Sequence, residues 1–242
     1  MLEIGYNHPF EIRKYAYPCE KSPGTTILYL SDFHYNRFGK SLAENISAEI
    51  DRLNPDIILL GGDYTDSKKG LPHFQRMMSS ISRRKNIFAI PGNHDSRRIR
   101  QTREIIEAGN GIWLQNRSAT ITSAGVTIRI DGGRPNPSSI PPDLSILLLH
   151  RPIDVTNIAH HYHIIFAGHL HGSQAVFWTR GKDLYPGRLV YTWNRLSATV
   201  GDCQYLISKG LGDSLPIRFN CRKDAILVQM VSTATLPAKH IL

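Results

Sequence analysis

The chain alternates short, intensely apolar runs with stretches of helical periodicity. "TTILYL" (Thr25–Leu30) is a continuous apolar run of strand length, the pattern of a strand buried on both faces. The next segment, "SLAENISAEIDRL", repeats its apolar residues at helical spacing, with Leu42, Ile46, Ile50 and Leu53 on one face. Ser41 followed by Glu44 reads as a capping box at its start, and Pro55 marks its end. "DIILL" is a second strand. "LPHFQRMMSSIS" is a second amphipathic helix, with Leu71, Phe74, Met77, Met78 and Ile81 facing inward, and "NIFAI" is a third strand. A third helix is predicted around Arg100–Ala108, ending near Gly109. Strands joined by helices in this order run parallel, so their C-terminal tips share one edge of a sheet.

The second half is richer in strands. "ATITSAGVTIRI" reads as a hairpin turning near Gly125. "SILLL" and "HIIFA" read as buried strands with a helix around Ile153–Ala159 between them, and "RLVYTW", "CQYLIS" and "AILVQM" as three further strands. "DGGRPNPSSIPPD" (Asp131–Asp143) is the strongest loop signal and reads as an insertion rather than a domain boundary. The expected architecture is α/β (α+β), two packed sheets with helices outside them, in a single domain spanning residues 1–242.

Composition changes this picture little. A chain of 242 residues with 41% hydrophobic and 20% charged positions is ordinary for a globular protein. No apolar run approaches the roughly 20 residues that span a bilayer, and the first residues are mixed polar. The three cysteines, Cys19, Cys203 and Cys221, have no paired spacing, which argues against a disulfide framework and for a reducing, cytoplasmic setting. The net charge of +9 favours anionic partners such as phosphates, nucleic acids or lipid headgroups.

The chemistry gathers at strand tips. "TTILYL" runs into Ser31-Asp32-Phe33-His34, "DIILL" into Gly61-Gly62-Asp63, and "NIFAI" into Pro91-Gly92-Asn93-His94-Asp95. "SILLL" runs into His150, and "HIIFA" into Gly168-His169-Leu170-His171. Sheets of this kind bind ligands beyond the carboxyl ends of their strands. Asp32 and His34 are two apart, as are His169 and His171, so in extended backbone each pair faces one side. Asp32, His34, Asp63, Asn93, His150, His169 and His171 form a mixed carboxylate, amide and imidazole set suited to Mn, Fe or Zn. Seven groups exceed one four-coordinate site. A bridging carboxylate between two cations about 3.5–4 Å apart accounts for them.

Taken in order, Asp32-Phe33-His34, "GDYTD", "GNHD", His150 and "GHLH" resemble the calcineurin-like metallophosphoesterase family, whose pattern is D-x-H, GDxxD, GNH[DE], a lone His and GHxH. The resemblance covers residues 28–171. It implies a β-sandwich flanked by helices and two divalent ions, Mn first. Asp32, His34, Asp63 and His171 would hold one ion; Asp63, Asn93, His150 and His169 the other, with Asp63 bridging. It further implies in-line attack of activated water on phosphorus, with His94 assisting phosphate binding and leaving-group departure and Asp95 orienting His94. The tail "YLISKGLGDSLPIRFNCRKDAILVQM" resembles bacterial phosphodiesterases of this family that are often membrane-associated, a neighbourhood that includes the UDP-2,3-diacylglucosamine pyrophosphatase of lipid A synthesis. "EIRKYAYP" resembles the segment that follows a membrane anchor in that branch, so peripheral contact with the inner membrane is an expectation. The Pro-rich loop Gly132–Pro142 and the arginine after His150, Arg151, depart from the branch's usual pattern.

Arg97, Arg98, Arg100 and Arg103 read first as a solvated helix face; the sharper alternative is that Arg97 or Arg98 meets a substrate phosphate bidentately, with Arg218 a second rim candidate. His160, His161 and His163 flank a strand at the end opposite His169, so structural or surface roles are expected. The leading reading is a dimetal phosphohydrolase releasing UMP from a lipid-linked nucleotide. Within the enzyme class the alternative is a broad phosphodiesterase or phosphatase. From another class, it is a non-catalytic scaffold, against which the complete ligand set weighs. No aromatic-basic tract supports nucleic acid as a partner.

Overall fold

The computed structural model describes residues 1–232 apart from Ser22, Ala124 and Ser214. The first half contains β1 (Leu2–Ile4), β2 (Glu11–Pro18), β3 (Thr26–Leu30), α1 (Lys40–Leu53), β4 (Ile57–Leu60), α2 (Leu71–Ile81), β5 (Ile87–Ala89), α3 (Ile99–Ala108) and β6 (Gly111–Trp113). The second contains β7 (Ser118–Ser123), β8 (Val126–Gly132), β9 (Leu144–Leu148), β10 (Ile164–Ala167), β11 (Val176–Arg180), β12 (Asp183–Pro186), β13 (Ser197–Val200), β14 (Cys203–Ile207), β15 (Ile217–Phe219) and β16 (Asp224–Val231).

Two six-stranded sheets face each other, in the orders β2-β16-β3-β4-β5-β6 and β13-β14-β10-β9-β8-β7. The expected parallel pairing of β3, β4 and β5 holds, as does that of β9 and β10. Strand alternation sorts the apolar runs. Ile27 and Tyr29 of β3 point between the sheets, with Ile57, Leu59, Ile146, Leu148, Ile164 and Phe166. Leu28 and Leu30 point the other way, against Ile46, Ile50, Phe74, Met77, Met78 and Ile106 of the helices. Both faces of these strands are covered, which is why they read as continuous apolar runs.

α1, α2 and α3 all pack on the first sheet. The outer face of the second is covered by Val155, Ala159 and Tyr162 instead. The helix expected around Ile153–Ala159 is a run of turns ending in a short 3-10 helix, Ala159–His161, because Pro152 and the Asp154–Thr156 side-chain turn favour local bonds over helix propagation. The strand expected at "RLVYTW" is a 3-10 turn, Gly187–Leu189, followed by exposed residues. The capping box is absent too: α1 starts at Lys40, and the Ser41 hydroxyl donates to Asn7 instead. "EIRKYAYP" is β2, an edge strand pairing with β16. Among the described residues, no helix is long and apolar enough to cross a membrane.

Candidate metal centre

β3, β4 and β5 of one sheet and β9 and β10 of the other end at the same edge of the sandwich, and their five following loops converge. Asp32, His34 and His171 bring ligand atoms within 4.8 Å of one another, as do Asp63, His150 and His169. The Asp63 carboxylate lies between the groups: Oδ2 is 3.7 Å from His34 Nε2 and 3.3 Å from His150 Nε2. Asn93 joins the second group through Oδ1, 2.9 Å from His150 Nε2.

The backbone that delivers these groups is not the extended chain expected from the two-residue spacing. Asp32 (φ 55°), His34 (φ 46°), Asp63 (φ 55°), His169 (φ 70°) and His171 (φ 51°) are all left-handed. A left-handed non-glycine residue costs about 1–2 kcal/mol, and such strain gathers where surrounding structure imposes a functional geometry. The loops pack without spare room: a Cβ on Gly92 would lie 2.1 Å from Asp63 Oδ1, and one on Gly168 2.2 Å from Asp32 Oδ2. Those glycines let one loop's backbone touch the next loop's carboxylate.

Proton positions fit a cation site. His34 Nδ1 donates to Asp66 Oδ1 at 2.7 Å, and His150 Nδ1 donates to the Gly61 carbonyl at 2.9 Å. Each ring so held turns its Nε2 towards the centre, where a cation would take the place of any proton. His34 Nε2 lies 3.1 Å from His171 Nε2, and His150 Nε2 lies 3.2 Å from His169 Nδ1. Facing imidazole nitrogens around buried carboxylates are a donor set for divalent ions. The charges respond as expected. Burial alone would raise the Asp63 carboxyl, but His150, His34 and the His94 amide outweigh it and hold it below the usual carboxylate range. Burial lowers His150, yet Asp63 and Asp32 push it up to about 9. Burial, with His150 and Arg151 nearby, lowers His169 to about 4.

His94 sits exposed beside the centre, and Asp95 does not orient it. The His94 ring approaches Asp66, Nδ1 to Oδ1 3.0 Å, so Asp66 receives both His34 and His94. Asp95 is buried and accepts from the Gly92, Asp63 and Tyr64 amides at 2.8–3.0 Å. It ties the β4 and β5 loops together. Burial pushes its carboxyl up to about 6 against those three amides. Asp66, which the sequence reading passed over although it stands inside "GDYTD", is the carboxylate that holds both rings.

The arginines divide. Arg97 is exposed in the 3-10 helix His94–Arg98. Arg98 donates to the Thr65 carbonyl at 2.9 Å and so braces the Asp66 loop. Arg218 is not on the rim. It is buried beneath His171, paired with Asp213, with Nη2 3.3 Å from His171 Nδ1. Arg151 does occupy the rim, 3.1 Å from His169 Nε2. It separates two pockets flanking the centre. One, of about 410 Å³, is lined by Gln115, Asn116 and Arg134; the other, of about 670 Å³, by Val190, Tyr191 and Trp193. His160, His161 and His163 line a separate cavity at the far end, where His163 Nδ1 accepts from the Ser145 amide at 2.9 Å.

Residues 25–176 match the profile of the calcineurin-like phosphoesterases. The chain belongs to that family. It is 29% identical over 231 residues to the uncharacterized metallophosphoesterase YkoQ of Bacillus subtilis, covering 84% of this chain and 83% of YkoQ. It is 26% identical over 226 residues to the phosphodiesterase YaeI of Escherichia coli, covering 85% and 82%. In fold it is similar to a dimetal phosphatase from Danio rerio, with a TM-score of 0.50, 10% identity, and coverage of 86% of this chain and 99% of that one. The calcineurin-like chain described here is a metal-dependent phosphohydrolase of mixed α/β architecture.

Proposed function

We propose that this phosphohydrolase cleaves a phosphoanhydride in a lipid-linked nucleotide sugar, with UDP-2,3-diacylglucosamine as substrate and UMP as product. The observation that carries the dimetal part is the Asp63 carboxylate lying between two imidazole groups. Asp32, His34, Asp63 and His171 would hold one divalent ion, and Asp63, Asn93, His150 and His169 the other. Mn is the first expectation, with Fe or Zn alternatives from the mixed N and O donors. Such a pair supplies an activated water and neutralises phosphoryl oxygens.

The chain's own groups do the rest. His34 and His150 keep their protons on Nδ1 through Asp66 and Gly61, leaving Nε2 free for the centre. His94 gives its Nδ1 proton to a hydrogen bond with Asp66; when the ring is doubly protonated, Nε2 presents a second proton to the leaving oxygen. Arg97 lies within the same loop for a phosphoryl oxygen.

The lipid and nucleotide parts draw support from the two pockets. One carries Arg134 and Arg151, cations that can meet a phosphate, and the other carries Val190, Tyr191 and Trp193, side chains that can meet an acyl chain. On this reading the enzyme works in the cytoplasm against the inner membrane. The test is UMP release from UDP-2,3-diacylglucosamine with Mn²⁺, beside hydrolysis of bis-p-nitrophenyl phosphate. Diester turnover without UMP would overturn the substrate and leave a broad phosphodiesterase, the second reading, which the similarity to YaeI favours.

A further inference from the structure

Outside the metal centre, the largest unexplained feature is an apolar surface built from three neighbouring pieces. β1 and β15 form a two-stranded antiparallel ribbon in which Leu2 pairs with Phe219 and Ile4 with Ile217. Directly opposed residues share a face, so these four side chains line one side, while Glu3 and Arg218 turn to the other and are buried. Phe177 of β11 packs against Phe219, the rings tilted with centroids 5.2 Å apart, continuing the face onto the β11–β12 hairpin. The turn after β12 extends it with Leu189 and Val190. Phe177 is 62% exposed and Val190 75%, far more than a side chain selected for the core of its own domain.

The charges beside this face are mostly cationic. Arg180 and Lys182 stand exposed on either side of Gly181 at the hairpin tip. Between residues 176 and 195 there are four cationic residues and one carboxylate, Asp183, and that carboxylate is held by both Arg188 and Arg195. Trp178, stacked flat on Tyr185 at 5.2 Å, stands between the apolar residues and the cationic tip. Apolar side chains bordered by Trp and Tyr and then by Lys and Arg match the profile of an anionic bilayer, from acyl region to headgroup.

We propose that this face docks on an anionic lipid bilayer. Val190 and Tyr191 also line the pocket shared by His169 and His171, so the docked enzyme holds its metal centre beside the membrane surface. The proposal stands on the surface alone and does not require the UDP-lipid substrate.

The test is sedimentation of the whole chain with sucrose-loaded vesicles of phosphatidylcholine, with and without phosphatidylglycerol. Wild type is expected to bind the phosphatidylglycerol vesicles and to bind pure phosphatidylcholine more weakly. Phe177→Ser with Trp178→Ser should lower partitioning at least about tenfold, from the apolar area withdrawn. Arg180→Glu with Lys182→Glu should lower it by about five-fold or more per cation, on anionic vesicles only. Both double variants should keep wild-type turnover of bis-p-nitrophenyl phosphate without lipid, which shows that the fold is intact. Absence of wild-type binding, or undiminished binding by the Phe177/Trp178 variant, overturns the proposal. So does a lipid-free wild-type dimer that this variant converts to monomer, because the face would then be a contact between copies. Vesicle binding with no diester turnover by wild type would leave the docking face standing and sink the hydrolase assignment separately.

Discussion

Replacing Asp66 separates the geometry found here from the motif reading in which Asp95 orients His94. Asp66 Oδ1 accepts from His34 at 2.7 Å and from His94 at 3.0 Å, and its side chain is 27% exposed. Hydrogen bonds to a charged group contribute about 1.5–3 kcal/mol when buried; partial exposure argues for the lower end, about tenfold for each ring. Asp66→Ala should therefore weaken metal affinity about tenfold through His34, and lower kcat about 10–100-fold at saturating Mn²⁺ through the loosened His94, the usual range for such supporting carboxylates. Asp66→Asn keeps one neutral acceptor and should fall between. The assay is bis-p-nitrophenyl phosphate turnover across a Mn²⁺ titration, with thermal melts of each variant. Asp95→Asn is the control. Asp95 receives three backbone amides and no ring, so its variant should melt at a lower temperature, and any loss of turnover should follow the unfolded fraction. Wild-type kcat in Asp66→Ala would refute the reasoning. A fully folded Asp95→Asn whose kcat falls as far as that of Asp66→Ala would also refute it.

Asp63→Ala should abolish turnover and lower bound metal from two equivalents to less than one by elemental analysis, because this carboxylate faces both groups. Arg218→Met should destabilise the fold by about 3 kcal/mol in urea melts, at the low end for a broken buried pair because Lys223 still reaches Asp213 at 2.7 Å. For metal-free protein, His150 is raised to about 9, so its stabilising protonation is complete below its ordinary value near 6.5 and is lost as pH rises through about 9. Melting temperature without metal should fall across that window. Binding of a cation must expel the same proton, so metal affinity should rise with pH, and calorimetry in two buffers of different ionisation enthalpy should show proton release.

Much of this was legible in the sequence because two-sided burial leaves strong marks. The runs at 27–30, 57–60, 144–148 and 164–167 are apolar on both strand faces, and each ends in a residue type that a buried core would not tolerate. The seven candidate ligands followed from that contrast. Misreadings arose where apolarity and burial part company. Leu189, Val190 and Tyr191 have the composition of a strand, yet they face solvent with no neighbouring strand to pair with. β2 was passed over for the opposite reason: "EIRKYAYP" is half polar, because an edge strand can spend Arg13 on Asp224 and leave Glu11 for Lys209. The left-handed backbone at five ligands was hidden for another cause. Asp and His are enriched at positive φ, but too weakly for single positions to announce it, and here neighbouring loops impose the conformation, as with the Asp32 carboxylate accepting the His169 amide.

Arg218 shows how one short segment serves two environments. Strand alternation in "IRF" sends Ile217 and Phe219 to the outer apolar face and the guanidinium inward, beneath His171. From the sequence, an arginine between two apolar residues near the end of a phosphoesterase reads as a substrate contact. In the fold it donates to the Lys209 and Gly212 carbonyls at 3.0 and 2.8 Å, closing the loop whose Gly210 packs against the Asp32 and His171 side chains. A buried cation there is tolerated because Asp213 neutralises it and three carbonyls take its remaining protons. The outer residues are apolar and need no such partners; Ile217 is exposed, and Phe219 packs against Phe177. The ribbon is therefore anchored from inside by the Arg218–Asp213–Lys223 ion pairs while its outer face stays apolar. That asymmetry is what a surface strand requires if it is to meet a hydrocarbon phase without loosening the metal site behind it.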